Sequence, residues 1–130
     1  MGTARAVPWA WRCGDLIAWQ TAELFRDEVH RLVAASEGAR RDFKFRSQIL
    51  EASRAIAANI VEGFLRFSPR EFPRFLDYAI GSLGEAESRL HAGIVAEYFS
   101  EADCRLAFRL ARRCFTATLR LKQSQKRFLI

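Results

Sequence analysis

The sequence predicts an all-α fold, an antiparallel up-and-down four-helix bundle, and three observations carry that prediction. Apolar residues recur at spacings of three and four through four long segments. Short polar links with capping residues separate those segments, and short links make neighbouring helices antiparallel. The three prolines, Pro8, Pro69 and Pro73, leave the segments long, and no alternating β-branched run or Asn-Gly pair offers a strand or hairpin.

The first helix is expected from about Asp15 to Ser36. Asp15 is a suitable N-cap, since its carboxylate can accept from the free amides of the first turn. Leu16, Trp19, Ala22, Phe25, Val29 and Leu32 form one apolar face. Gly38 can supply the left-handed residue that ends it. The second helix is expected over 43–62, with Phe45, Ile49, Ala52, Ile56 and Ile60 as its stripe and Gly63 as its stop. Ser68-Pro69-Arg70-Glu71 reads as a capping box with proline at the first helical position, opening a third helix over 69–98. Pro73 complicates that start, because a proline at the fifth helical position removes a hydrogen bond. Phe72, Phe75, Leu76, Ala79, Leu83, Ala86, Leu90 and Ile94 carry its core face. Ser100 with Asp103 makes another box-like cap for a fourth helix over 101–126, whose core face is read as Leu106, Leu110, Cys114, Ala117 and Leu121.

At 130 residues the chain is one domain by size, with residues 1–14 as an N-terminal tail and 15–130 as the bundle. The tail's Trp9 and Trp11 are too apolar for a purely solvated arm. Half the residues are hydrophobic and 28% are charged, a balance that excludes a disordered chain. No apolar run approaches the ~18 residues of a membrane span, and no secretory signal pattern opens the sequence. Three cysteines at irregular spacing (Cys13, Cys104, Cys114) argue against a disulfide framework and for a reducing compartment, so a cytoplasmic location is expected.

The net charge is +6, and it is localised. Residues 1–99 hold 13 basic and 13 acidic groups, whereas residues 100–130 hold eight basic against two acidic. Arg105, Arg109, Arg112, Arg113, Arg120, Lys126 and Arg127 fall within about 140° of the fourth helix, with Lys122 just outside that arc. Such a stripe suits a nucleic-acid backbone, whose affinity comes from neutralising phosphates. An ordinary solvated face is the competing account. Phe108, Phe115 and Leu119 make a second apolar strip on that helix, which a single core face does not need, so contact with another subunit is expected. Gly81 and Gly84 interrupt the third helix at a cost of about 1 kcal/mol each relative to alanine, and read as sites of close helix approach within or between chains.

Enzyme readings fare badly. Carboxylate-bridged di-iron bundles use paired Glu-x-x-His motifs, and the nearest match, Glu87 with His91, is one residue too long and occurs once. No Walker, Gly-x-Ser-x-Gly or zinc spacing appears. No catalytic residue, metal or cofactor is expected.

One stretch exceeds generic bundle patterning. Residues 48–63 read QILEASRAIAANIVEG and are followed by FLRFSPREFPRFLDYAIGSLGEAESRL, while the first helix opens with DLIAWQTAELF. Gln48, Asn59-Ile60-x-Glu62-Gly63, Arg66, Glu71-Phe72 and Ala79-x-Gly81-Ser82-Leu83-x-Glu85 are the most specific parts. Together, over about residues 15–122, they resemble the bacterial four-helix-bundle family of 23S rRNA intervening-sequence proteins, which includes the accessory variability proteins of diversity-generating retroelements. Ala55, Ala57 and Pro73 depart from the family's usual residues. The resemblance implies a left-handed bundle assembled into a ring-like homo-oligomer, commonly a pentamer, without enzymatic activity. For the retroelement branch it implies binding to a reverse transcriptase and to RNA or DNA. Asn59, Glu62, Arg66 and Glu85 are expected to form a structural polar network.

The expected function is therefore that of an oligomeric, non-enzymatic accessory protein binding nucleic acid through the basic face of the fourth helix, with a reverse transcriptase as a candidate partner. The alternative is a structural homo-oligomeric scaffold with a protein partner.

Overall fold

The computed structural model describes Cys13 and residues 16–66 and 68–125. Asp15, Trp9, Trp11, Lys126 and Arg127 lie outside the described residues. Among those described there are five helices and no strand: α1 (Ile17–Ala35), α2 (Glu37–Arg41), α3 (Phe43–Arg66), α4 (Glu71–Val95) and α5 (Arg105–Gln125).

The four long helices pack so that α1 lies between α3 and α5, and α4 lies between the same two. Side-chain pairings give the directions. Asp77 meets Lys122 and His91 meets Phe108, so α4 and α5 are antiparallel. Gly63 lies against Phe72 and Phe75, so the end of α3 meets the start of α4. The Cys114 thiol reaches the Ala18 carbonyl at 3.7 Å, placing the middle of α5 beside the start of α1. The interior is filled by Phe25, Val29, Ile49, Ile56, Ile60, Leu76, Leu83 and Leu90, all fully buried. Each contributes roughly 1.5–3 kcal/mol by leaving water.

Several helix ends differ from the sequence expectation. Ser36 is extended and ends α1 without a left-handed residue, and its Oγ accepts from the Ala39 amide at 3.1 Å to cap α2. Gly38 therefore terminates nothing. It sits inside α2, where a Cβ would come within 2.7 Å of the Tyr98 ring. Gly63 does not stop α3 either, since the helix continues to Arg66, and a Cβ at Gly63 would meet Phe75 Cβ at 2.8 Å. In both places glycine makes room for an aromatic residue.

The first turn is irregular, as Pro73 leads one to expect. The Phe72 amide donates to the Ser68 carbonyl at 2.9 Å, so the turn opens at Pro69. Pro73, fifth from there, has no amide for the carbonyl one turn back, and the regular helix runs from Glu71. Ser68 Oγ accepts from Arg70 and Glu71 amides at 3.2 and 3.3 Å, which is the capping half of the expected box. At its other end α4 stops at Val95, not Tyr98. The Tyr98 amide donates to Gly93 O at 2.8 Å and the Glu97 amide to Ile94 O at 3.0 Å. That is a Schellman closure, with Glu97 at φ 63° in the left-handed position usually held by glycine. The Ser100–Asp103 box is complete: Asp103 Oδ2 accepts from the Ser100 amide at 3.1 Å, and Ser100 Oγ accepts from the Asp103 amide at 3.0 Å. These bonds hold the Asp103 carboxyl below its ordinary pKa. Residues 101–104 are turns, and regular α5 starts at Arg105.

The core face of α5 is also rotated from the expected one. Ala107, Leu110, Ala111, Cys114 and Thr118 are buried, while Leu106 is 42% exposed and Ala117 and Leu121 are half-buried. Small side chains on the inner face let α5 lie close against α1.

Candidate nucleic-acid interface

Because Ala107, Ala111, Cys114 and Thr118 turn inward, the opposite side of α5 carries Arg105, Arg109, Arg112, Arg113 and Arg120, all exposed. Elsewhere six arginines are paired, among them Arg26 with Glu23 at 2.7 Å, Arg31 with Glu28 at 2.6 Å, Arg41 with Glu37 at 2.7 Å and Arg66 with Glu62 at 3.0 Å, while Arg40, Arg46, Arg54 and Arg70 form no ion pair among the described residues. None of the five on α5 forms an ion pair among the described residues. Lys122 differs. It is half-buried and bound to Asp77 at 2.7 Å, so its charge is spent within the chain and it does not belong with the free arginines.

Three of the arginines, Arg105, Arg109 and Arg112, line a groove between α4 and α5 of about 620 Å³ together with His91, Ile94 and Phe108. Toward the other end of α5 the groove continues over Glu87 and Phe115. His91, itself exposed, stacks on Phe108 with ring centroids 4.6 Å apart and planes inclined by 30°. Phe115 stands 43% exposed in the same face. Burial pushes the Glu87 carboxyl above its ordinary pKa, and the nearby His91 and Arg112 work against that rise. Sequence reasoning treated Glu87 and His91 only as a broken metal motif. Their register on the side of α4 that faces α5 was the signal for their place beside the arginines.

The second apolar strip of α5 is thus partly used inside the chain. Phe108 packs on His91 and Leu119 is half-buried, which leaves Phe115 as its exposed member. Gly81 and Gly84 are exposed on α4 with nothing within 4 Å of where a Cβ would stand. They bring no helix of this chain closer.

The expected polar network is not one network. Glu62 and Arg66 pair with each other at the surface, about half exposed, and Arg66 also lies 5.0 Å from the centroid of the Phe75 ring. Asn59 donates to the Ala55 carbonyl of its own helix at 2.9 Å. Glu85 faces Arg89 at 3.9 Å. Asn59 sits at the edge of the α3 stripe, so its amide finds a backbone partner and needs no buried carboxylate.

Cys104 and Cys114 are buried thiols, and burial raises both pKa values, that of Cys104 to about 11. Neutral, buried thiols of this kind act as small apolar residues. Among the described residues no group of three His, Cys, Asp or Glu comes together as a metal site, and no helix is long and apolar enough to cross a membrane.

No curated protein matches the chain. A family model does: residues 14–117, most of the chain and nearly all of the bundle, match the model for the 23S rRNA-intervening sequence protein, and the chain belongs to that family.

Proposed function

We propose that this protein is a non-enzymatic accessory protein that binds nucleic acid through the exposed arginine face of α5. One observation carries the reading: five exposed guanidiniums are gathered on one helix, none of them in an ion pair among the described residues, whereas Arg26, Arg31, Arg41, Arg66, Arg74 and Arg89 are each paired with a carboxylate. Leaving like charges unpaired on one face costs self-repulsion that a polyanion relieves. Arginine's planar fork also suits phosphate better than lysine does.

Fluorescence anisotropy with a labelled RNA across a salt series tests this. Replacing Arg105, Arg109, Arg112 and Arg113 with glutamine should weaken binding. It should also reduce the slope of log K against log salt by about one for each phosphate contact removed. Binding that ignores salt, or a slope unchanged by the replacements, would reject α5 as the site.

A second reading is a homo-oligomeric scaffold with a protein partner, a reverse transcriptase among the candidates. The exposed Phe115 and Leu106 and the open Gly81 and Gly84 favour it. Light scattering would separate the two. A defined oligomer, a ring such as a pentamer, that leaves RNA free at every salt concentration supports the scaffold. An oligomer or monomer that takes up RNA at low salt supports the nucleic-acid reading.

A further inference from the structure

We infer that the α4–α5 groove accommodates unpaired bases, so that the preferred ligand is a single-stranded nucleic acid and not a duplex. This rests on the nucleic-acid reading of α5 and assigns a distinct job to the groove beside it. A ridge of arginines alone would serve a duplex as well as a single strand, because both present phosphates. The groove adds what a duplex cannot use. Phe115 is 43% exposed, and His91 is exposed and held against Phe108 with centroids 4.6 Å apart. In a duplex the base faces are already stacked on one another. In a single strand they are free to lie on an aromatic ring or a guanidinium plane.

The charges fix which part of the strand goes where. Glu87 lies in the groove with His91, Phe108, Arg112 and Phe115, and Glu101 lines its other end. A phosphate deep in the groove would meet these carboxylates, whereas Arg105, Arg109 and Arg112 line its edge and Arg113 and Arg120 stand outside it with no ion-pair partner among the described residues. The backbone is therefore directed to the ridge and the bases to the aromatic floor. Arg105 and Arg109 are one helical turn apart, roughly 6 Å along the axis, so the ridge follows the strand as it runs beside α5.

The test compares a short oligouridine with a blunt RNA duplex of equal length, by anisotropy on the full chain over a salt series. The single strand should bind roughly tenfold more tightly at matched salt. Phe115→Leu keeps the apolar surface and removes the aromatic face. It should weaken the single strand by about fivefold or more, leave the duplex unchanged and leave the salt slope unchanged, while Phe115→Trp retains the preference. His91→Ala should act in the same direction. Both positions are exposed, and circular dichroism will confirm that the variants fold. A duplex that binds as tightly as the strand, or variants at Phe115 and His91 that change nothing, would overturn the inference. If the arginine replacements still weaken binding in that case, the nucleic-acid reading stands and only the groove's role falls. If neither probe binds at low salt, both fall together.

Discussion

Tyr98 donates its phenolic O–H to Asp42 Oδ2 at 2.6 Å, joining two residues 56 positions apart in the chain. The other oxygen of Asp42 accepts from the Phe45 amide at 3.1 Å and so caps α3. One carboxylate therefore starts α3 and anchors the loop that follows α4. The Tyr98 ring fills the space above Gly38 and meets Phe45 edge-on at 5.1 Å.

This pair should make stability fall at both ends of the pH range. The two hydrogen bonds hold the Asp42 carboxyl below its ordinary 3.8, so its contribution is present above that value and is lost as acid protonates it in the folded state. Asp42 raises the Tyr98 phenol above its ordinary 10.0, so that contribution is present below pH 10 and is lost as alkali ionises the folded phenol. Asp42→Asn should keep the cap and lower the Tyr98 pKa, and Asp42→Ala should lose both the cap and the anchor and melt at the lower temperature. Ultraviolet titration of the tyrosines, with thermal melts of the three proteins, checks the order. A Tyr98 titration unmoved by Asp42→Asn would contradict it.

The glycines should divide into two classes. Alanine at Gly63 or Gly93 places a Cβ at 2.8 Å from Phe75 or 2.6 Å from Phe99, and overpacking of that kind costs roughly 1–3 kcal/mol. Alanine at Gly81 or Gly84 meets open space and should stabilise the isolated chain by about 0.5–1 kcal/mol. Urea unfolding measures both signs. If the open pair serves contact between chains, the same substitutions will raise monomer stability and weaken assembly, which light scattering would show.

Glu97→Gly should stabilise the protein. Glu97 adopts φ 63° to complete the Schellman closure of α4, and a side chain in that conformation costs roughly 1 kcal/mol that glycine does not incur. A melting temperature that falls on this substitution would mean that the Glu97 side chain supports the turn in another way.

Lys122 and Arg109 should separate in binding experiments even though both are basic residues of α5. Lys122→Gln should leave the salt slope for RNA nearly unchanged because Asp77 already holds the ammonium at 2.7 Å. Arg109→Gln should lower it by about one. Equal effects would mean that the Asp77 pair opens on binding.

The four long helices were legible because their apolar spacing is regular and their capping residues are polar, as Ser68 and Ser100 show. The short α2 was not. Five residues hold too little periodicity to register, and its cap, Ser36, looked like the tail of α1. Glycine misled twice, since Gly38 and Gly63 carry the same letter whether a helix ends there or an aromatic ring needs the space. The inner face of α5 was read correctly at Leu110 and Cys114 but rotated at its other positions. Leu106 stays 42% exposed while Ala107 and Ala111 take the core. The arginine face survived that error because it spans a wide arc, and a modest rotation leaves it outside. The groove needed the neighbouring helix as well. Only the packing of α4 on α5 sets His91 against Phe108, 17 residues on.

The unpaired arginines of α5 also make the molecule lopsided. Its +6 charge is gathered on the last quarter of the chain and not spread over the surface. A negatively charged resin, or any anionic polymer, will meet it in one preferred pose, with α5 foremost. Its retention should therefore exceed that of a protein of equal net charge distributed evenly, and the face presented away from the resin will be the one built by α3, which lies across the bundle from α5.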